Sequence, residues 1–269
     1  MNNIKITPLF TVRVFAFYLV FYIGLAAFWA ACMWGLLQAV DDDTPKYILD
    51  RSIIGTSPGL ASRPLAPEGR ESVLVYSRDS KKWTSTPNGL PSLDTFLEEY
   101  QTRVNNTETC SYNDKRENES VVCDVNINNW GNCTPDGTAL SHVFEWMPEY
   151  YKSSESLPQE MPDDLKDKIS DTLSHSPNEA KKVWLSCGGK NEEDKKLLGT
   201  VVYFPERGFP GYYYPFRNQI GFRSPVVAVQ IVNPTPNVVI NLECRAWAPN
   251  IEQDRKEQIG VLNYKIKVE

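Results

Sequence analysis

Residues 15 to 40 read FAFYLVFYIGLAAFWAACMWGLLQAV, a run of 26 positions without a charge. No other feature of the chain restricts its architecture as strongly. A bilayer's hydrocarbon core is about 30 Å thick, and about 20 helical residues cross it. A secretory signal has a shorter apolar region with a small-residue cleavage site behind it. The run is therefore expected to stay in the protein as a membrane-spanning helix. A helix in a soluble core would keep a polar face, and this run has none.

The flanks of the run set an expected orientation. Lys5 and Arg13 precede it with no acid, and Asp41, Asp42 and Asp43 follow it. Positive charge stays on the cytoplasmic side. The expected organisation is a short cytoplasmic tail (1–14), a transmembrane helix (15–40), an extracellular stalk rich in Pro, Gly and Ser (41–67), and an extracellular domain (68–269). The remainder of the chain is polar and acidic, with a net charge of −6 and scattered Lys and Arg. Such a surface has no basic stripe for phosphates, so membrane lipid is an expected partner and nucleic acid is not.

The cysteines and glycosylation signals agree with an exported domain. Cys32 lies in the apolar run, while Cys110, Cys123, Cys133, Cys187 and Cys244 lie beyond it. Cysteines in an oxidising compartment usually pair, but five cannot all do so. Asn105-Asn106-Thr107, Asn118-Glu119-Ser120 and Asn132-Cys133-Thr134 fit the N-glycosylation pattern. They cluster among the cysteines on the side expected to face out. Asn233-Pro234-Thr235 is excluded by its proline.

Periodicity points to a mainly β domain. Leu242, Cys244 and Ala246 alternate with Glu243, Arg245 and Trp247, and Leu262, Tyr264, Ile266 and Val268 alternate with Asn263, Lys265 and Lys267. Period two suits half-buried strands. The continuous apolar run Pro225 to Val232 suits a more central strand, and Ser72–Tyr76 and Val201–Phe204 suit further ones. Leu93, Phe96, Leu97, Tyr100 and Val104 recur at helical spacing after Ser92, a candidate N-cap. Leu165, Ile169 and Leu173 predict a surface helix starting near Pro162. Asn105 to Gly137 reads as an exposed, loop-rich lobe. Strands outnumbering one or two helices, with turn signals between them, predict an antiparallel β-sandwich.

Catalytic patterns are missing from this sequence. Its two histidines, His142 and His175, sit in polar stretches without ligand spacing, and no nucleophile elbow, phosphate loop or zinc-protease motif occurs. The acidic run Asn191 to Asp194 lacks the spacing of a calcium loop and reads as a solvated turn. No enzyme activity, cofactor or metal is expected. The aromatic run Gly211 to Phe216, with Tyr212, Tyr213, Tyr214 and Pro215, supports two readings equally: half-buried packing, or a protein-contact patch.

Several short elements, in order over nearly the whole chain, resemble the β subunit of the Na⁺/K⁺-transporting P-type ATPase. Phe17-Tyr18 and Phe21-Tyr22 followed by Leu25-Ala26 resemble the family's FY-x-x-FY-x-x-LA signature. Thr44-Pro45-Lys46-Tyr47 with Asp50-Arg51, and then Pro58-Gly59-Leu60, are similar to its TPKYQDR and PGL elements. Cys187 to Lys195 resembles a C-x-GK-x-x-EDK stretch, and Gly208-Phe209-Pro210 and Tyr213-Tyr214-Pro215 match GFP and YYP. Ala228-Val229-Gln230, Glu243 to Ala246 and Lys265 to Val268 continue the match.

The resemblance implies a single-pass type II glycoprotein of the plasma membrane with an immunoglobulin-like β-sandwich. It implies a noncatalytic role: assisting the folding, export and membrane insertion of the catalytic α subunit, and modulating K⁺ handling. A small single-span regulatory subunit is a further candidate partner. Elements around Ser57–Leu60 and Arg63-Pro64 also resemble the H⁺/K⁺ pump's β subunit, and a free-standing adhesion glycoprotein is the other alternative. The implied disulfides are Cys110–Cys123 and Cys187–Cys244. The family's middle pair has no second half here, which leaves Cys133 and Cys32 as thiols. The resemblance also assigns Tyr18, Phe21 and Tyr22 to contact with a helix of α. Tyr18 and Tyr22 share a helical face with Phe21 beside them, whereas Ala27, Ala31 and Gly35 form a small-residue row. Phe28 and Trp29 are expected on other faces.

Overall fold

The computed structural model describes residues 8–41, 46, 59–64, 73–80, 82–83, 93–102, 104–114, 120–130, 138–143, 148–254 and 259–269. The chain forms two compact units, Met1–Lys46 and Tyr47–Glu269.

The first unit is one helix, α1 (Pro8–Gln38). Proline suits the first helical turn, because the amide it lacks would have no partner there. Among the described residues the helix includes Pro8 to Val14, within the segment expected as tail. Its last turn tightens: Ala39 N–H donates to Leu36 O at 3.0 Å and Val40 N–H to Leu37 O at 3.3 Å. Lys46 Nζ donates to Ala39 O at 3.0 Å, placing a positive charge at the negative end of the helix dipole. From Val12 to Gln38 the helix is long and apolar enough to cross a membrane.

In the second unit, one sheet has strand order β1 (Gly59–Arg63), β6 (Thr138–Val143), β10 (Val226–Val232), β8 (Thr200–Phe204). The other has order β3 (Lys82–Trp83), β2 (Val73–Ser77), β12 (Val261–Val268), β11 (Val239–Trp247), β7 (Lys182–Gly189), β9 (Gly208–Pro210). Both are antiparallel except where β2 runs parallel to β12. Leu74, Val183, Leu185, Val227, Val229, Ile240, Leu242, Tyr264 and Ile266 come from both sheets and form one buried cluster between them. The fold is the expected β-sandwich.

Helices cover both outer faces. Leu93 and Leu97 of α2 (Leu93–Gln101) pack on Val226 and Ala228 of β10, the residues that alternate with its inward valines. Leu165 and Ile169 of α3 (Asp163–His175) pack on Trp184 of β7 and Trp247 of β11. This cover corrects the expectation that Arg245 and Trp247 face solvent. Both are buried, because α3 turns the outward face of β11 into a second core. The N-cap expected at Ser92 lies outside the described residues, and α2 ends before Val104.

Two further expectations change. The acidic run is not a turn: Asn191 Oδ1 accepts from Asp194 N–H at 2.7 Å and caps a short helix, α4 (Glu192–Leu198). Asp194 is buried, accepting from Asn241 N–H at 3.0 Å and from Asn241 Nδ2 at 3.1 and 3.2 Å. The sandwich thus has three helices among the described residues, one more than expected. The lobe after Asn105 is not uniformly exposed either. Its short parallel pair β4 (Thr107–Glu108) and β5 (Val122–Cys123) buries Val122 and Cys123, and Val125 and Trp130 join the α2 cluster.

Candidate partner-binding surfaces

On α1, four aromatic rings form two columns. Tyr18 stacks on Tyr22 and Phe17 on Phe21, each with centroids 6.3 Å apart, as i,i+4 spacing dictates. Edge contacts at 5.5 Å (Phe17–Tyr18) and 5.6 Å (Phe21–Tyr22) join the columns. The rings present open surface on α1: Tyr18, Phe21 and Tyr22 are 50, 52 and 61% exposed. Phe17 belongs to the same patch and was missed as a site residue, although its four-residue spacing to Phe21 is visible in the sequence. A helix turns about 100° per residue, so Phe28 and Trp29, seven residues beyond Phe21 and Tyr22, continue the columns. The expectation that they point elsewhere is corrected. By the same rule Trp34 lies on the opposite side, and the row Ala27, Ala31, Gly35 runs from near that side toward the Phe17–Phe21–Phe28 column, which Gly35 joins seven residues beyond Phe28.

A hydroxyl inside a bilayer needs a hydrogen-bond partner. A smooth column of rings with two such hydroxyls is therefore suited to a partner helix with acceptors of its own.

The aromatic run of the second unit is a short 3₁₀ turn, Gly211–Tyr213, leading into Tyr214 and a cis Tyr214–Pro215 bond. Tyr214 is buried in the inter-sheet core, and Tyr213 packs against both that core and the α2 cluster. Tyr212 and Pro215 are half-buried. Tyr212 lies 4.6 Å from Tyr213 and 5.1 Å from Tyr112, edge to face with the latter. Burial raises the pKa of Tyr213 and Tyr212 above the ordinary phenol value. Tyr214 thus serves packing, and the half-buried Tyr212, Tyr213 and Pro215 keep some accessible area.

Tyr112 belongs to a polar knot that the sequence reading missed. Its hydroxyl donates to Glu206, with both carboxylate oxygens at 2.9 Å, and Glu206 pairs with Lys182. Lys182 Nζ also lies 5.1 Å from the Tyr112 ring and 5.0 Å from the Trp184 ring. These partners are far apart in sequence, so no local pattern could have announced them.

Cys110 is bonded to Cys123, and Cys187 to Cys244 across paired positions of β7 and β11. Cys32 is a free, exposed cysteine on α1. Asn105 is exposed; Asn118, Asn132 and Cys133 lie outside the described residues. Among the described residues no cluster of His, Cys, Asp or Glu could hold a metal ion. His175 is exposed at the end of α3, beside Asp171.

The chain is similar to known proteins over most of its length. The family model described as "Sodium / potassium ATPase beta chain" matches residues 10–264. Sodium/potassium-transporting ATPase subunit beta-2 of Drosophila melanogaster is 40% identical, over 94% of this chain and 84% of that one. Subunit beta-1 of the same organism is 38% identical, over 90% and 82%. Human subunit beta-2 is 30% identical, over 94% and 84%. A match over nearly the whole chain, from the apolar helix to the last strands of the sandwich, makes this chain a member of the sodium/potassium ATPase beta chain family.

Proposed function

We propose that this chain is the noncatalytic β subunit of a plasma-membrane sodium/potassium pump. It assists the folding, export and insertion of the catalytic α subunit, and it modulates K⁺ handling. The observation that carries this reading is the exposed aromatic face of α1. A passive anchor needs only apolar side chains, whereas two stacked columns with tyrosine hydroxyls suit a specific helix partner. The relatives' names favour the sodium/potassium pump over the H⁺/K⁺ pump.

In this reading residues 1–14 face the cytoplasm, 15–40 span the bilayer, 41–67 form a stalk, and 68–269 form a glycosylated domain outside. Tyr18, Phe21 and Tyr22, with Phe17, pack on α within the membrane. Tyr212 and Pro215 contribute to contacts outside. Purification of the chain from detergent-solubilised native membranes tests the reading. A much larger ATPase subunit should accompany it in a fixed ratio. Recovery of the chain alone, or only with copies of itself, would favour a free-standing adhesion protein. Orientation has its own test: glycosidase treatment should increase gel mobility, and no shift would overturn the outside placement of the sandwich.

A further inference from the structure

Helix α3 packs on Trp184 and Trp247 at one end of the outward face of the β7–β11 pair. Beside it lies a groove of about 460 Å³, lined by Glu160 and Asp164 near the start of α3, by Ser186 and Gly188 of β7, by Arg245 of β11, and by Arg207. The strand register accounts for the space. Ser186 pairs with Arg245 and Gly188 with Glu243, and directly opposite residues share a face of the sheet. A Cβ added at Gly188 would meet nothing within 4 Å among the described residues. The glycine therefore leaves open space above the strand, next to a charged neighbour.

Two guanidinium groups line the groove, and the fold orients both. Arg245 Nε and Nη2 donate to Glu243 Oε1 at 2.8 and 2.6 Å, and its guanidinium carbon lies 5.7 Å from the centre of the Trp247 ring. Its Nη1 is 3.9 Å from Glu160 Oε2, too far for a hydrogen bond. Arg207 Nε donates to Leu185 O at 3.0 Å and its Nη1 to Asp164 Oδ2 at 2.7 Å, with the guanidinium carbon 5.1 Å from the centre of the Tyr203 ring. The Arg245 and Arg207 side chains are only 10 and 20% exposed. Adjacent residues of β7 bring them together: Arg207 is bonded at Leu185, and Arg245 sits opposite Ser186. With Lys190 and Lys195 the lining holds four cations against the carboxylates of Glu160, Asp164 and Glu243, in a chain whose net charge is −6. Exposed ion pairs are common and weak; two buried, ring-stacked guanidiniums beside open space are not of that kind.

We propose that this groove binds a carboxylate-bearing ligand, with Arg207 and Arg245 as the recognising groups. The planar fork of a guanidinium matches a carboxylate through parallel hydrogen bonds. Stacking and the contacts to Asp164 and Glu243 fix each fork in advance, so little side-chain freedom is lost on binding. Trp247 Nε1–H, donating to Ser186 Oγ at 2.7 Å, holds the floor in place. Lys190 and Lys195 are exposed at the rim, where they attract an anion. The volume suits a small molecule or a few residues of extended chain. The carboxylate therefore comes from a free small acid or from an acidic side chain of a polypeptide. The site lies within the second unit and is independent of what α1 contacts.

The test is isothermal titration calorimetry on the full-length chain purified with its pump partner, at constant ionic strength. The probes are succinate and a terminally blocked tetraglutamate peptide, and at least one should bind saturably. Gly188→Val fills the open space with a residue suited to a strand and removes no charge. It should weaken that binding by about tenfold or more, and so should Arg207→Gln, whereas Arg207→Lys, which keeps the charge and loses the fork, should restore only part of it. Binding of succinate alone would identify a free small acid as the source, and tighter binding of the peptide would identify a polypeptide side chain. Failure of both probes to bind wild type saturably would overturn the proposal. So would binding by Gly188→Val and Arg207→Gln that equals wild type.

Discussion

Lys182 is only 6% exposed, and a lone ammonium in that position would be costly. Its pairing with Glu206, the Tyr112 hydroxyl on the same carboxylate, and two aromatic faces explain why it stays. Removing one partner leaves the other charge buried, which costs about 3 kcal/mol or more. Glu206→Gln should therefore lower stability by about that amount, whereas Glu206→Gln with Lys182→Met should recover most of it. Denaturation of the two variants followed by tryptophan fluorescence checks this, and equal stabilities would contradict it. A second residue-scale test concerns Trp247, buried beneath α3 with its Nε1–H donating to Ser186 Oγ at 2.7 Å. Trp247→Ala should cost about 3–5 kcal/mol, far more than expected for the solvent-facing position that sequence alternation assigned to it. A loss below about 1 kcal/mol would mean that α3 does not seal that face.

The elements differ in how openly the sequence announced them. Strands β10, β11 and β12 were legible because their apolar positions obey one period, and α1 because length and composition decide it alone. The outward side of β11 was misread, because alternation reports residue type and not what lies above it. Arg245 looks solvated until its ion pair with Glu243 and its place over the Trp247 ring are known. Helix α4 was missed for a related reason. Seven residues rich in acid carry little apolar periodicity, and what fixes them is the long-range bond from Asp194 to Asn241. Close approach matters as well: a Cβ at Gly189 would lie 2.2 Å from Lys195 N. Gly189→Ala should push α4 off the end of β7 at a cost of about 1–3 kcal/mol, measurable as faster amide exchange across residues 192–198. Unaltered exchange would contradict the packing. The aromatic face of α1 was readable from i,i+4 spacing, but the knot around Tyr112 was not, since chain neighbours say nothing about it.

Taken as a whole molecule, the second unit keeps many phenols out of water, and this sets its alkaline limit. Burial pushes Tyr100 and Tyr151 up to about 12 and raises Tyr112, Tyr150, Tyr203, Tyr212 and Tyr213 as well. The folded state holds protons that the unfolded chain releases from its phenols near pH 10. Stability from this source is complete below about pH 10 and is lost as pH rises through about 12. Tyrosinate absorbance should therefore appear together with unfolding, and smooth titration of a folded protein would contradict the burial. Covalent closure acts on the same scale. The Cys187–Cys244 bond spans 57 residues, and on the chain-entropy model it stabilises by about 4 kcal/mol. The central claim, however, concerns what α1 holds. Replacing Tyr18, Phe21 and Tyr22 together with leucine keeps the helix apolar while removing the ring columns and both hydroxyls. Trp34→Leu, on the opposite side, is the control. The deciding measurement is K⁺-activated ATPase activity of the α subunit co-expressed with each chain. The account predicts assembled pumps whose apparent K⁺ affinity is shifted by the triple variant and not by Trp34→Leu. Identical K⁺ curves for wild type and the triple variant would contradict it and reduce the aromatic face to a membrane anchor.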